Sequence, residues 1–446
     1  MRVSHSLILL FFFFFFFSSA TSATKEIRAG FWPPFSNSYA PPSSIDTSVY
    51  THIFYAFLGT KSIDTNFTVS REELPLLTTF STTLKTKNPS IKTLLSIGGL
   101  LSNSTEFSAV AADRNQRKAF IDSAIALARA HGFDGLDFAW EFPASPEDMD
   151  NLGVLLNEWK REIEEEAQNS PPLWSPLLLT ATVYFSNHLL AAPTSNLYYP
   201  VEAMAQSVDW VNAMCFDYQG SNREEQDHTK THAALFNPNS QLSTSYGIDS
   251  WMDAGLPSNK LVMGIPLYGR SWILKNKEKN GIGAAAVAFG PRQRLSNQTG
   301  VMAYSEIQKF LQDKDATLMY DNSTVSAYGY AGDLWVSFDS QRVVAEKISF
   351  AKQNRLIGYF LWPITFDSNY SLSMTASHSW TTSSPTTNTD LDEPAPAPSE
   401  LPRRASPPSL LSLVGVTESS SESFIFHFNC YLHLLLLLSF ILIFNL

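Results

Sequence analysis

Cysteine is almost absent: the 446 residues hold two, Cys215 and Cys430. A folded domain that contains only the first of them has no internal disulfide, so its stability must come from a large core. An excess of positive charge is missing too. Lys and Arg number 31 against 42 Asp and Glu, a formal net charge of −11. That balance argues against nucleic acid and against an anionic membrane surface as partners, while neutral sugars stay compatible.

Long apolar runs stand at the two ends of the chain. Residues 1–23 carry one early Arg, an apolar run from Leu7 to Phe17, and small residues before an expected cut after Ala20 or Ala23. This is the pattern of a secretory signal peptide. Sequons at Asn66, Asn103, Asn297, Asn322 and Asn369 fit a secreted, glycosylated chain. From Thr375 onward Thr, Ser and Pro dominate, and residues 377–423 read as a disordered stalk suited to O-glycosylation. Phe424 to Leu446 is apolar nearly throughout, long enough to span a bilayer, with no Lys or Arg after it. The small residues Ser419 to Ser421 before it resemble a signal for a glycosylphosphatidylinositol anchor. The expectation is an extracellular protein, secreted or anchored at the outer face of the plasma membrane, with a lipid anchor preferred to a span.

Between these ends, apolar strand-like segments alternate with helical patterns. Strands are expected at Ile27–Trp32, Tyr50–Leu58, Ile91–Gly99, Phe133–Pro143, Leu177–Phe185, Val208–Tyr218, Leu261–Trp272 and Leu356–Phe366. Helices are expected at Leu74–Leu84, Ala112–Ala130, Glu147–Ala167 and Ser340–Gln353, the second with Phe120, Ile121, Ala124, Ile125 and Ala128 at helical spacing. Eight such alternations predict an α/β fold, a (β/α)8 TIM barrel over residues 25–375. Residues 276–334 interrupt the last repeat, between strands seven and eight, with short strand-like and glycine-rich pieces.

The chemistry concentrates in the fourth strand, Phe133-Asp134-Gly135-Leu136-Asp137-Phe138-Ala139-Trp140-Glu141-Phe142-Pro143. Side chains two apart on a strand share a face, so Asp137, Ala139 and Glu141 point the same way. Two carboxylates on the buried face of one strand are costly unless paired or put to chemical use. In a barrel, the end of a strand is where an active site is built, and Glu141 stands there.

This strand resembles the catalytic strand of glycoside hydrolase family 18, the chitinases, whose pattern is D-G-x-D-x-D-W-E-Y-P. Asp134, Gly135, Asp137, Trp140, Glu141 and Pro143 match it; the third Asp falls on Ala139 and the Tyr on Phe142. Ser96-Ile97-Gly98-Gly99 resembles the family's second marker, and the resemblance implies that residues 276–334 form a small α+β insertion walling one side of the cleft. Arg117-Lys118-Ala119-Phe120-Ile121-Asp122-Ser123 resembles the plant class V chitinases, whose relatives include lectins and ectodomains of receptor-like kinases. The family uses the substrate's own acetamido group as nucleophile. The resemblance therefore implies Glu141 as the proton donor, Ala139 where an assisting Asp belongs, and Phe216 where a strand-six Tyr would hold the acetamido oxygen.

Asp137 and Asp217 are the further carboxylates carried over to the catalytic set. Trp362, in Phe360-Leu361-Trp362-Pro363, matches the floor on which the −1 sugar stacks. Met214, Phe216, Tyr268, Arg270, Phe31 and Trp32 are expected to line the same cleft. No cofactor and no metal are expected. The resulting expectation is a chitinase-like protein that binds chitin or its oligomers and hydrolyses them weakly or not at all. The alternative is an active endo-chitinase using Glu141. Cys215, alternating with Met214 and Phe216, is expected to face away from the lumen.

Overall fold

The computed structural model describes residues 26–59, 69, 73–99, 102–169, 175–190, 197–219 and 226–382. The expected signal peptide, the sequon at Asn66, most of the stalk and the apolar tail lie outside the described residues. The other four sequon asparagines are exposed. Among the described residues, no helix is long and apolar enough to cross a membrane.

Eight short segments dense in aliphatic and aromatic residues form the barrel strands. They are β1 (Ile27–Trp32), β2 (His52–Leu58), β3 (Lys92–Gly98), β4 (Gly135–Ala139), β5 (Leu178–Tyr184), β6 (Trp210–Met214), β7 (Leu261–Pro266) and β14 (Gly358–Trp362). They close in the order β1-β14-β7-β6-β5-β4-β3-β2, every neighbour parallel. Strands covered on both faces are apolar nearly throughout, as all-parallel sheets require. The expected barrel is present.

Its helices include α1 (Leu74–Lys87), α2 (Ser104–Ala112), α3 (Arg114–Ala130), α4 (Pro146–Asn169), α5 (Val201–Ser207), α6 (Thr244–Asp253), α8 (Gln341–Gln353) and α9 (Ser371–Thr381). The helix expected over Ala112–Ala130 is α3, and an unexpected helix, α2, precedes it: Asp113 ends α2 and caps α3, accepting from the Asn115 and Gln116 amides at 2.9 Å. Arg117 on α3 grips Glu158 on α4 at 2.7 and 3.0 Å through two nitrogens.

The seventh expected strand divides in two. Pro266 is the last residue paired to β14, and the chain leaves the barrel there to begin β8 (Tyr268–Leu274) in a second sheet. With β9 (Ala286–Phe289), β10 (Val301–Ala303), β11 (Thr317–Asp321), β12 (Ser326–Ala331), β13 (Leu334–Phe338) and helix α7 (Tyr304–Asp313), β8 builds the insertion. The insertion thus spans residues 268–338, wider than the expected 276–334, and Tyr268 and Arg270 belong to it rather than to the barrel wall. The first residues expected in the stalk are helical instead. Residues 377–381 complete α9, where Trp380 packs on Tyr359 at 5.7 Å and Lys352 binds the carbonyls of Ser379, Trp380 and Thr382. The Ser/Thr content of that stretch hid a docked helix.

Candidate active site

The lumen is divided. On the β1, β2 and β14 side it is aromatic: Phe31 stacks on Phe54 at 4.2 Å and leans on Phe360 at 4.9 Å. On the β3 to β6 side it is polar. There the Asp137 carboxylate accepts from Ser96 Oγ at 2.5 Å, Thr180 Oγ1 at 2.6 Å, Thr182 Oγ1 at 2.9 Å and Asn212 Nδ2 at 3.2 Å. Trp210 Nε1 donates to Asn212 Oδ1 at 2.9 Å and so orients that amide. Burial nevertheless lifts the Asp137 carboxyl above the usual range, against the pull of these donors.

Ala139 ends β4 above Asp137 and is completely buried. The chain beside it is drawn in tightly. Gly98 and Gly99 both have positive φ, and a Cβ at Gly98 would lie 2.2 Å from the Ala139 carbonyl, so no other residue fits without displacing β4. Past Ala139 the backbone is pinned from outside. Trp140 Nε1 donates to Ser104 Oγ, and Ser104 Oγ to the Phe142 carbonyl, each at 2.7 Å. Glu141, between these two anchored residues, turns towards the cleft.

Burial pushes the Glu141 carboxyl up to about 7, and the negative charge of Asp217 adds to the rise. Asp217 follows β6 in a left-handed turn, φ 57°. Its Oδ2 accepts from Tyr268 Oη at 2.7 Å, and its Oδ1 from Arg270 Nε at 2.9 Å and Nη2 at 2.8 Å. His232 Nδ1 is 3.5 Å from the same Oδ1. Burial alone would raise Asp217, but Arg270, His232 and Tyr268 hold it well below the usual carboxylate range. Two carboxyls are thus driven apart, one protonated near neutrality and one firmly ionised, which is how an acid is kept ready beside a fixed charge.

A pH dependence follows. Glu141 ionises in the unfolded chain near 4.5 but in the fold only near 7, so stability is lost as pH rises through that window. Glu141→Gln is expected to gain roughly 2 kcal/mol in urea unfolding at pH 8 and nothing at pH 4. An equal gain at both values would show that Glu141 is solvated like a surface carboxylate.

Trp362 ends β14 half-buried, edge-on to Phe31 at 6.5 Å and 5.4 Å from Phe57. Phe216 lies 6.2 Å from the Tyr268 ring and 6.0 Å from Phe360. Met214 faces the lumen beside Tyr184, its register partner on β5. The fold thus brings together Asp137, Glu141, Met214, Phe216, Asp217, Tyr268, Arg270 and Trp362. It does not bring Trp32. That side chain is fully buried outside the barrel, donating to the Ala40 carbonyl at 2.8 Å and packing on Tyr55 and Phe80. Strand alternation gives the lumen to Phe31 and sends Trp32 outward. Cys215 is buried, and burial pushes its thiol up to about 12, so it is inert.

Sequence reasoning missed the Ser96–Thr180–Thr182–Asn212 cradle and Tyr184. The signal was there: Thr180, Thr182 and Tyr184 alternate along β5 as polar groups on one face. His232, fifteen residues after Asp217, had none.

Fold and site together define a (β/α)8 barrel with a small insertion sheet, a carboxyl of raised proton affinity just past strand four and a half-buried Trp362 at the end of strand eight. The particular family is also established. The model for "Glycosyl hydrolases family 18" matches residues 16–367, and the chain belongs to that family. It is 40% identical over 363 residues to Nod factor hydrolase protein 1 of Medicago truncatula, covering 80% of this chain and 91% of that one. It is 41% identical over 354 residues to Class V chitinase CHIT5 of Lotus japonicus, covering 79% and 86%. Among solved structures, a class V chitinase mutant from Nicotiana tobaccum in complex with NAG4 superposes with TM-score 0.75 at 39% identity, over 80% of this chain and 99% of that one. The chitinase-like agglutinin RobpsCRA from Robinia pseudoacacia superposes with TM-score 0.71 at 35% identity, over 79% and 99%.

Proposed function

We propose that this chain is a chitinase-like protein that binds N-acetylglucosamine oligomers over Trp362, with hydrolysis weak or lost. The observation that carries this reading is the Ala139 methyl group, standing on the lumen face between Asp137 and Glu141 where the family places an assisting carboxylate. Phe216 withdraws a second partner, the hydroxyl for the acetamido oxygen. Each lost partner of a developing charge costs about 2.7–4 kcal/mol of transition-state stabilisation. The two losses overlap, since they serve one charge. The binding surface keeps its parts: the Trp362 face, and Asp217 held by Tyr268 and Arg270. Relatives solved with NAG4 and with (GlcNAc)3, and a relative described as an agglutinin, support a sugar-binding role.

A second reading, a working endo-chitinase, is favoured by Glu141, whose carboxyl at about 7 suits a general acid. Binding and hydrolysis of chito-oligosaccharides, measured on the same purified protein, separate the two. Tight binding without release of a fluorophore from a chitotriose conjugate supports the first reading; ready release overturns it. Trp362→Ala is expected to weaken chito-oligosaccharide binding about tenfold, some 1.4 kcal/mol in calorimetry, because the stacked ring dominates the contact. Unchanged affinity would put the sugar elsewhere.

A further inference from the structure

A groove of about 650 Å³ opens at the seam between the barrel and the insertion, a volume in the range of small-molecule sites (~300–1,000 Å³). The loop after β6 lines it with Thr229, Thr231, Asn237 and Asn239, and the β11–β12 hairpin with Met319, Tyr320 and Tyr328. None of the cleft residues described above lines it. Backbone bonds tie the two pieces together here: the Leu235 amide donates to the Thr324 carbonyl and the Thr229 amide to the Ala284 carbonyl, each at 2.9 Å.

The lining suits a neutral, two-faced ligand. Among the described lining residues only Lys230 and Asp321 are charged, one of each sign. Hydroxyls and amides stand beside open apolar surface, with Met319 40% and Ile282 39% exposed. Tyr328 is held by stacking on Trp335 at 5.2 Å, with 25° between the planes. Hydrogen-bonding groups beside apolar and aromatic faces, without net charge, fit a carbohydrate and not an ion.

A point of attachment stands on the rim. Asn322-Ser323-Thr324 is a sequon on the turn that joins β11 to β12. Asn322 is exposed, and Asp321, Ser323 and Thr324 on either side of it line the groove. The Asp321 carboxylate fixes that turn, accepting from Ser323 Oγ at 2.9 Å, from the Thr324 amide at 3.1 Å and from Thr324 Oγ1. A chain rooted on a fixed turn at the mouth of a formed groove loses little further freedom on lying down in it.

We propose that Asn322 carries an N-linked glycan whose inner sugars lie in this groove and brace the insertion against the loop after β6. The bond forms between Asn322 Nδ2 and C1 of the first sugar. The C1–oxygen bond to a lipid diphosphate donor of the secretory pathway breaks, the diphosphate leaves, and the amide gives up one proton. The inference is independent of sugar binding in the central cleft.

The test uses the full chain secreted from eukaryotic cells, with glycopeptide mass spectrometry and timed release of the glycan by an N-glycan amidase. Asn322 is expected to be occupied, and its glycan to leave folded protein about tenfold or more slowly than unfolded protein, because the seated form hides the linkage. Met319→Asp and Ile282→Asp replace exposed residues of the groove. Each is expected to bring release from folded protein close to the unfolded rate. An unoccupied Asn322 overturns the proposal. So does release that is equally fast from folded and unfolded protein, or protection that survives both substitutions.

Discussion

Ala139→Asp combined with Phe216→Tyr is expected to raise chito-oligosaccharide turnover by about 10²-fold or more, the effect of restoring an electrostatic partner in the transition state. The new carboxyl would rise from β4 between Asp137 and Glu141 on one face. Asp137 below it already accepts from four side chains, and burial keeps its proton affinity high. It is therefore a suitable partner with which a second carboxyl shares a proton. The new hydroxyl at position 216 would stand between Tyr268 and Phe360, above the lumen.

Ala139→Asp alone should give most of the gain, since it supplies negative charge opposite the cation formed when the acetamido group attacks. Adding Glu141→Gln should remove the gain, because no group remains to protonate the leaving oxygen. In the rescued protein, turnover should fall as pH rises through about 7, where Glu141 loses its proton. The measurement is release of fluorophore from a chitotriose conjugate. If unaltered protein already matches the double variant, Ala139 is no defect and the chain is an ordinary enzyme.

The second large effect is on stability. Lys347 on α8 and Asp339 just before it form an ion pair at 2.5 Å with both side chains buried. Burial raises the Asp339 carboxyl, and the Lys347 charge opposes that rise. Removing one partner leaves a buried charge with no counter-charge, so Lys347→Met is expected to cost about 3–5 kcal/mol in denaturant unfolding. Lys347→Met with Asp339→Leu should recover most of the loss, because an apolar pair of similar volume needs no desolvation. Loss below about 1 kcal/mol for the single variant would mean that water reaches the pair.

The barrel was legible from periodicity because each strand is a short apolar run bounded by turns, and α1, α3, α4 and α8 repeat their apolar faces every three or four residues. Part of strand four was legible for the same reason: alternation puts Asp137 and Ala139 on one face of β4, whereas Glu141 lies two residues past its end. Alternation likewise excludes Trp32 from the lumen, because its neighbour Phe31 holds that side of β1. Where strands end is a different matter. Pro266 closes β7 and hands Tyr268 and Arg270 to the insertion sheet, though the apolar pattern runs on unbroken to Trp272.

What tertiary structure alone decided is the electrostatics. Asp217, Tyr268, Arg270 and His232 come from a turn, a second sheet and a loop, and only their packing makes one carboxyl firmly ionised and Glu141 protonated to about 7. Alternation and composition act over neighbouring residues and are written in the chain. Desolvation and Coulomb terms act between groups far apart in sequence, and they exist only once the barrel has closed around them.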